Sequence, residues 1–190
     1  MTKTLDDLSP IDLKRLWPSP FVRKFCEDIV RGSSGQPILD VACGGARNSI
    51  LLAYLGGRVL GIDVDLSRVQ TNQRRLINSA FEKTVQEINF LHRDLIRDPW
   101  PFKTNSIGAI INVHFFHEPL LSSFCESLVP GGYLLIETVD ARGGNFRDLP
   151  RAGVLRRALQ DSCSFLTYEE RQAGPSRVDA VTVKLVAVKQ

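Results

Sequence analysis

The chain has 190 residues, 43% hydrophobic and 24% charged, enough for one domain with a full core and too apolar for a disordered or collagen-like chain. No run approaches the roughly 18 consecutive apolar residues of a membrane span, and the opening MTKTLDDLSP lacks an apolar signal segment. A cytoplasmic protein is expected, one domain over 1–190 with residues 1–35 as a helical cap within it, and no membrane partner. A net charge of +3 is too mild to imply nucleic acid.

The charge is unevenly spread. Residues 1–140 hold 15 Lys+Arg against 16 Asp+Glu, whereas residues 141–190 hold 9 against 5. Arg142, Arg147, Arg151, Arg156 and Arg157 cluster near Asp148, either as a solvated face or as a rim for an anionic substrate. The cysteines, Cys26, Cys43, Cys125 and Cys163, contain no C-x-x-C pair and fit neither zinc nor a disulfide framework. They read as reduced thiols, with no metal expected.

In chain order, Leu8–Phe25, with Trp17, Pro18, Pro20 and Phe21, reads as a lid helix or as packing at the sheet edge. Gln36–Val41 and Gly57–Asp63 read as buried strands around a helix, Asn48–Leu55, that stops at Gly56-Gly57. Strand, helix and strand at this spacing make a βαβ unit and a parallel sheet. Asp65 fits the N-cap of a second helix running toward Phe81, and Glu87–Arg93 is a third strand. The two prolines of Asp98–Pro101 mark a loop. Ile107–Val113 is apolar enough for a central strand. Glu118–Leu128 is a helix ended by Pro130-Gly131-Gly132, Tyr133–Val139 a fifth strand, and Leu155–Leu159 a short helix. Ser164–Arg171 and Val181–Lys189 alternate apolar and polar residues around Gly174-Pro175-Ser176, as an antiparallel pair should. The expected fold is α/β, a seven-stranded, mostly parallel sheet with an antiparallel C-terminal hairpin and helices on both faces.

Ligands of such sheets sit at the carboxyl ends of the strands. There the run Ile38–Asn48 places an acid, Asp40, before a small-residue loop and a helix. Twenty-three residues beyond Asp40, the next strand ends at Asp63. That acid suits both hydroxyls of a ribose, though capping the next helix is its plainer use. A dinucleotide loop needs G-x-G-x-x-G around a pyrophosphate, but this one has only Gly44 and Gly45. Asp40 at its entrance repels a diphosphate and suits a sulfonium or ammonium. The residues favour S-adenosylmethionine over a nicotinamide dinucleotide.

At this point the chain resembles the class I S-adenosylmethionine-dependent methyltransferases and their Rossmann-like sheet. Asp40–Ala46 matches their first motif, with Ala42 and Ala46 where the first and third glycines usually stand. Gly61-Ile62-Asp63, Arg93-Asp94-Leu95 and Leu128–Gly132 continue the resemblance. Ala46-Arg47-Asn48, His114–His117, and Glu137-Thr138 with Gly144-Asn145 look most like the small tellurite-resistance-like methyltransferases. The resemblance implies that Ala42, Cys43, Gly44, Gly45 and Asn48 line the methionine moiety, with Asp40 near its ammonium. It implies Asp63 on the ribose, Val64 on the adenine, Asp94 and Leu95 at the adenine amino group, and Asn112 and Val113 near the reacting methyl. Asp94 has a turn-forming alternative, and Cys43 reads as a small loop residue and not a nucleophile.

The fourth strand is followed by Asn112-Val113-His114-Phe115. That is neither the Asn/Asp-Pro-Pro-aromatic run of methyltransferases acting on amino groups nor the acid of metal-dependent catechol-type enzymes, and a Pro-Cys pair for cytosine attack is missing. His114 and His117 are the catalytic candidates, since a neutral imidazole accepts a proton; packing in the wall and helix capping are their alternatives. Trp17, Arg142 and Tyr168 are candidates for touching an acceptor. The expected function is methyl transfer to a small-molecule or oxyanion acceptor by in-line displacement, giving S-adenosylhomocysteine. The competing readings are a non-catalytic cofactor-binding domain acting through protein contacts and an RNA-modifying enzyme, the latter resting on the C-terminal arginines.

Overall fold

A computed structural model describes residues 3–138, 149–173 and 179–190. Seven strands form one sheet in the order β3-β2-β1-β4-β5-β7-β6. They are β1 (Ile38–Val41), β2 (Val59–Asp63), β3 (Asn89–His92), β4 (Ile107–Val113), β5 (Leu128–Glu137), β6 (Cys163–Gln172) and β7 (Val181–Lys189). The first five pair in parallel, and β7 runs antiparallel to both β5 and β6. The C-terminal hairpin thus inserts its second strand beside β5 and leaves β6 at the edge.

The helices divide between the faces. On one face lie α2 (Pro20–Gly32), α3 (Arg47–Tyr54), α4 (Ser67–Arg75) and α5 (Glu82–Glu87), packed with Ile38, Ala109, Ile111 and Leu135 of the sheet. On the other lie α6 (Leu120–Ser127) and α7 (Val154–Leu159), against Leu39, Ile110, Leu134 and Ile136. Alternate residues of β4 and β5 feed the two cores because side chains alternate across a strand. Burial on both faces explains why β4 reads as an unbroken apolar run.

The N-terminal segment is two helices and not one. α1 (Pro10–Leu16) and α2 each begin with a serine cap followed by proline at the first helical position. The Ser9 hydroxyl accepts from the Asp12 amide, and that of Ser19 from the Phe21 and Val22 amides. Between the helices the chain turns at Trp17, in the left-handed region with φ 53°. Proline at N1 and serine at the cap are a start signal that the sequence repeats ten residues apart.

Most strand and helix ends fall within two residues of expectation, and the larger departures are in α4 and β5. α4 begins at Ser67, with the Asp65 carboxylate accepting the Ser67 amide two residues on, and it ends at Arg75 instead of near Phe81. The chain there turns through Asn78 at φ 58° before the separate α5. β5 starts at Leu128, paired with Ile107 across a register shift, so Pro130-Gly131-Gly132 interrupts a strand and does not merely end a helix. α3 stops as expected: Gly56, at φ 96°, lets the Gly57 amide return to the Leu52 carbonyl.

Candidate functional site

The strand order reverses between β1 and β4, and at their carboxyl ends a cavity of about 630 Å³ opens. Asp40 of β1, the loop from Ala42 to Gly45, and Arg47 and Asn48 of α3 line it on one side. Asp63 of β2 faces it with Arg68, Thr71, Asn72 and Arg75 of α4, and Val113, His114 and Phe115 complete it after β4. A crevice at the reversal of strand order is where open α/β sheets bind ligands.

The loop is built on left-handed backbone. Ala42, Gly44 and Ala46 have φ of 53°, 56° and 58°, so two of the three positions carry a methyl where glycine costs least. Hydrogen bonds hold the turn despite that cost. The Cys43 amide donates to Ile62 O and the Ala46 amide to Cys43 O. Asp63 clamps the loop to β2: one carboxylate oxygen accepts the Gly44 amide at 2.7 Å, the other the Asp65 amide at 2.9 Å. From α4, Asn72 Nδ2 donates to Gly45 O at 2.7 Å.

Asp40 is 1% exposed. Its carboxylate accepts from the Ser49 amide at 3.1 Å and from the Ser49 hydroxyl at 2.5 Å. Loss of water outweighs these bonds and pushes its pKa up to about 7, with the nearby Asp63 charge adding to the rise. Cys43 is a poor nucleophile: burial, Asp40 and Asp63 all hold its thiol protonated.

After β4, His114 adopts φ 66°, and its amide donates to Glu137 O at 2.8 Å. Its pKa lies below the ordinary histidine value because surrounding protein strips away water; Glu137 opposes the shift, and Arg47 and Lys184 add to it. The imidazole is therefore neutral near pH 7. Behind it, buried Glu137 accepts from the Ser19 hydroxyl and pairs with Lys184 at 3.1 Å. The Ser19 amide donates to Asn48 Oδ1 at 2.9 Å, which ties the α1–α2 junction to the cavity wall.

The remaining candidates lie off this wall. His117 is at the entry to α6, its carbonyl accepting the Leu120 amide. Asn112 is buried at the end of β4, and its Oδ1 is the one fully buried side-chain polar atom without a hydrogen-bond partner among the described residues. Val64 is 59% exposed just past Asp63. Asp94 folds its carboxylate onto the Ile96 and Arg97 amides, the turn-forming arrangement. Leu95 is buried in the α6 core, leaving its neighbour Ile96 as the exposed apolar residue. Trp17 exposes its ring beside a separate apolar groove, while its carbonyl accepts Arg47 Nη1 at 3.0 Å. Tyr168 on edge strand β6 donates to Glu170 at 2.6 Å and lies 4.2 Å from the Arg156 guanidinium; its pKa is pushed up to about 12, chiefly by burial. Arg142 and Gly144-Asn145 fall outside the described residues. Among the described residues no group of three or more His, Cys, Asp or Glu is placed to hold a metal, and no helix is long and apolar enough to cross a membrane.

The α4 residues on the wall were missed in the sequence, although 68, 71, 72 and 75 are spaced i, i+3, i+4, i+7 and must share one helix face.

Comparison with known proteins places this geometry. Residues 38–132 match the methyltransferase domain family. A curated relative, the ubiquinone biosynthesis O-methyltransferase of Leptothrix cholodnii, is 25% identical over 130 residues; that match takes in 67% of this chain and 54% of the relative, so the chain spans about half of that protein's length. TehB from Haemophilus influenzae superposes with a TM-score of 0.62 at 19% identity, over 88% of this chain and 62% of TehB. The geranyl diphosphate C-methyltransferase of Streptomyces coelicolor A3(2), solved with Mg²⁺, geranyl-S-thiolodiphosphate and S-adenosyl-L-homocysteine, gives 0.61 at 14% identity, over 88% and 74%. With the family match spanning the first motif, the Asp63 strand and β4, the chain belongs to the methyltransferase domain family, with the class I Rossmann-like sheet.

Proposed function

We propose that this protein transfers a methyl group from S-adenosylmethionine to a small-molecule acceptor in the cytoplasm, by in-line displacement. The observation that carries the reading is one cavity at the β1/β4 reversal, lined by Asp40, the Ala42–Gly45 loop, Asp63 and His114. The cavity suits the cofactor. It is large enough for a molecule of that size, has backbone open to close approach at Gly44 and Gly45, and has acids at the ends of β1 and β2. The unpartnered Asn112 Oδ1 lies one residue before the lining Val113. The four free cysteines fit a reducing compartment.

On this reading Asp63 holds the ribose hydroxyls while keeping the Gly44 loop in place. Exposed Val64 and Ile96, just beyond adjacent strands β2 and β3, offer apolar surface to the adenine. Asp40, ionised, faces the ammonium, and Gly44, Gly45 and Asn48 border the methionine chain. When bound, the cofactor supplies a methyl already activated by its sulfonium. The protein then aligns the acceptor lone pair with it and excludes water. His114, fixed by its strained backbone and neutral near pH 7, accepts the acceptor's proton where the acceptor carries one.

Calorimetry with S-adenosylhomocysteine tests the reading. Micromolar binding is expected, weakened at least about 100-fold in Asp63→Ala, because the charged acceptor of two ribose bonds is lost along with the loop clamp. No binding by the native protein overturns it. Release of S-adenosylhomocysteine across small thiols, phenols, carboxylates and oxyanions then identifies the acceptor.

A further inference from the structure

Three guanidinium groups line the cavity, and among the described residues no carboxylate lies within ion-pair distance of them. Arg47 opens α3, and Arg68 and Arg75 stand two turns apart on one face of α4. The nearby acids are otherwise engaged: Asp40 with Ser49, Asp63 with the Gly44 and Asp65 amides, and Asp65 with the Ser67 amide.

Arg47 and Arg75 are held in place by hydrogen bonds, while Arg68 reaches over the Gly44–Gly45 loop from an exposed position on α4. Arg47 is half-buried and tethered to the Trp17 carbonyl at 3.0 Å. Arg75 Nε donates to Asn72 Oδ1 at 3.1 Å, and Asn72 is itself fixed on Gly45 O. Arg15 of the N-terminal cap grips the Arg75 and Ile77 carbonyls at 2.6 and 3.0 Å, holding the end of α4 against the cavity. The cations disfavour one another: burial and then the Arg68 and Arg75 charges lower the pKa of Arg47, and Asp40 only partly opposes them. A bound anion relieves that repulsion.

We propose that Arg47, Arg68 and Arg75 form an anion subsite in the cofactor cavity, and that it receives a carboxylate or phosphate group of the methyl acceptor. The proposal rests on the methyltransferase reading and narrows its substrate class. The cofactor carries two cationic centres and one carboxylate, so it adds positive charge to an already positive wall. Its carboxylate engages Arg47, at the start of α3 beside the loop that borders the methionine chain, in a bidentate pair. Arg68 and Arg75 are left for a second anion, carried by the acceptor. The basis for an anionic acceptor thus moves from the C-terminal arginines, where Arg156 stacks on Tyr168 and Phe165, to α4.

The test uses the full chain saturated with S-adenosylhomocysteine, titrated with inorganic phosphate and with malonate, with chloride at matched ionic strength as the control. Millimolar binding of either probe alongside the product is expected. It should weaken at least about tenfold in the Arg68→Gln/Arg75→Gln double variant while product affinity changes less than about threefold. The Arg68→Lys/Arg75→Lys variant should recover part of the binding, and its unaltered melting temperature would confirm an intact fold. Competition between phosphate and S-adenosylhomocysteine assigns the arginines to the cofactor's own carboxylate and overturns the proposal. So does probe binding that is absent or indifferent to the double variant. Failure of S-adenosylhomocysteine itself to bind overturns the methyltransferase reading and the acceptor assignment together. Phosphate binding to the free protein, lost in the double variant, would in that case still mark the anion subsite.

Discussion

Replacing Asp40 by asparagine separates the cost of burying this carboxylate from its service to the cofactor. Folding moves its pKa from 3.8 to about 7. Between those values the native state binds more protons than the unfolded one, so stability falls as pH rises. The contribution is fully present below 3.8 and lost as pH passes 7. Integrated from about pH 5 to about pH 8, the loss is about 2.6 kcal/mol, of which about 1.3 kcal/mol falls above about pH 6. The substituted amide would keep an oxygen to accept from Ser49 and have no proton to lose. Urea unfolding followed by tryptophan fluorescence should show the native protein losing this increment relative to Asp40→Asn over that range. Parallel stability profiles for the two proteins would refute the buried, proton-holding carboxylate. Cofactor binding has the opposite sign. If the ionised form faces the ammonium, S-adenosylhomocysteine binds the native protein about tenfold more tightly at about pH 8 than at about pH 6, since only about a tenth of Asp40 is ionised at the lower value. The variant should show weak, pH-independent affinity, and a pH-independent native affinity removes Asp40 from the ligand's contacts.

Other outcomes follow from single residues. Ala42→Gly should stabilise the protein by about 0.5–1 kcal/mol, because removing the methyl from a left-handed position outweighs the added freedom of the unfolded chain; an unchanged or lower unfolding midpoint contradicts this. Gly61→Ala would place a Cβ 2.7 Å from Phe90 Cδ1 and 3.1 Å from Cys43 Sγ. It should cost about 1–3 kcal/mol in denaturant unfolding and disturb cofactor binding through Cys43. His114→Asn keeps a residue tolerant of positive φ and should lower kcat by about 10²-fold or more with little change in KM. The acid limb of the native pH–rate profile, set by a pKa below 6.5, should vanish with it, and an intact limb assigns it to another group.

The legible part of the fold was its alternation. Buried strands bounded by glycine and acid, with helices between them, gave the seven strands and the C-terminal hairpin because hydrophobic periodicity and turn chemistry act locally. The α1–α2 break was missed, the segment being read as one helix, although its signal is equally local in the Ser9-Pro10 and Ser19-Pro20 pairs. The end of α4 was less so: Leu76 and Ile77 carry the apolar pattern on past Arg75, and the chain leaves the helix to pack Phe81 against Tyr54 and enter α5.

What the sequence determined by itself is the sheet, the acid-ended strands β1 and β2, and the small-residue loop between them, since each depends on neighbours within a few residues. Tertiary structure decided the chemistry of that loop. Only β1–β2 pairing brings Asp63 onto the Gly44 amide, and only the packing of α3 on β1 buries Asp40 against Ser49 and raises its pKa. The docking of α4 beside Gly45 adds Arg68 and Arg75 to Arg47, residues 21 and 28 positions apart from it in the chain. Charge and burial depend on distances in space, and local sequence patterns carry no record of them.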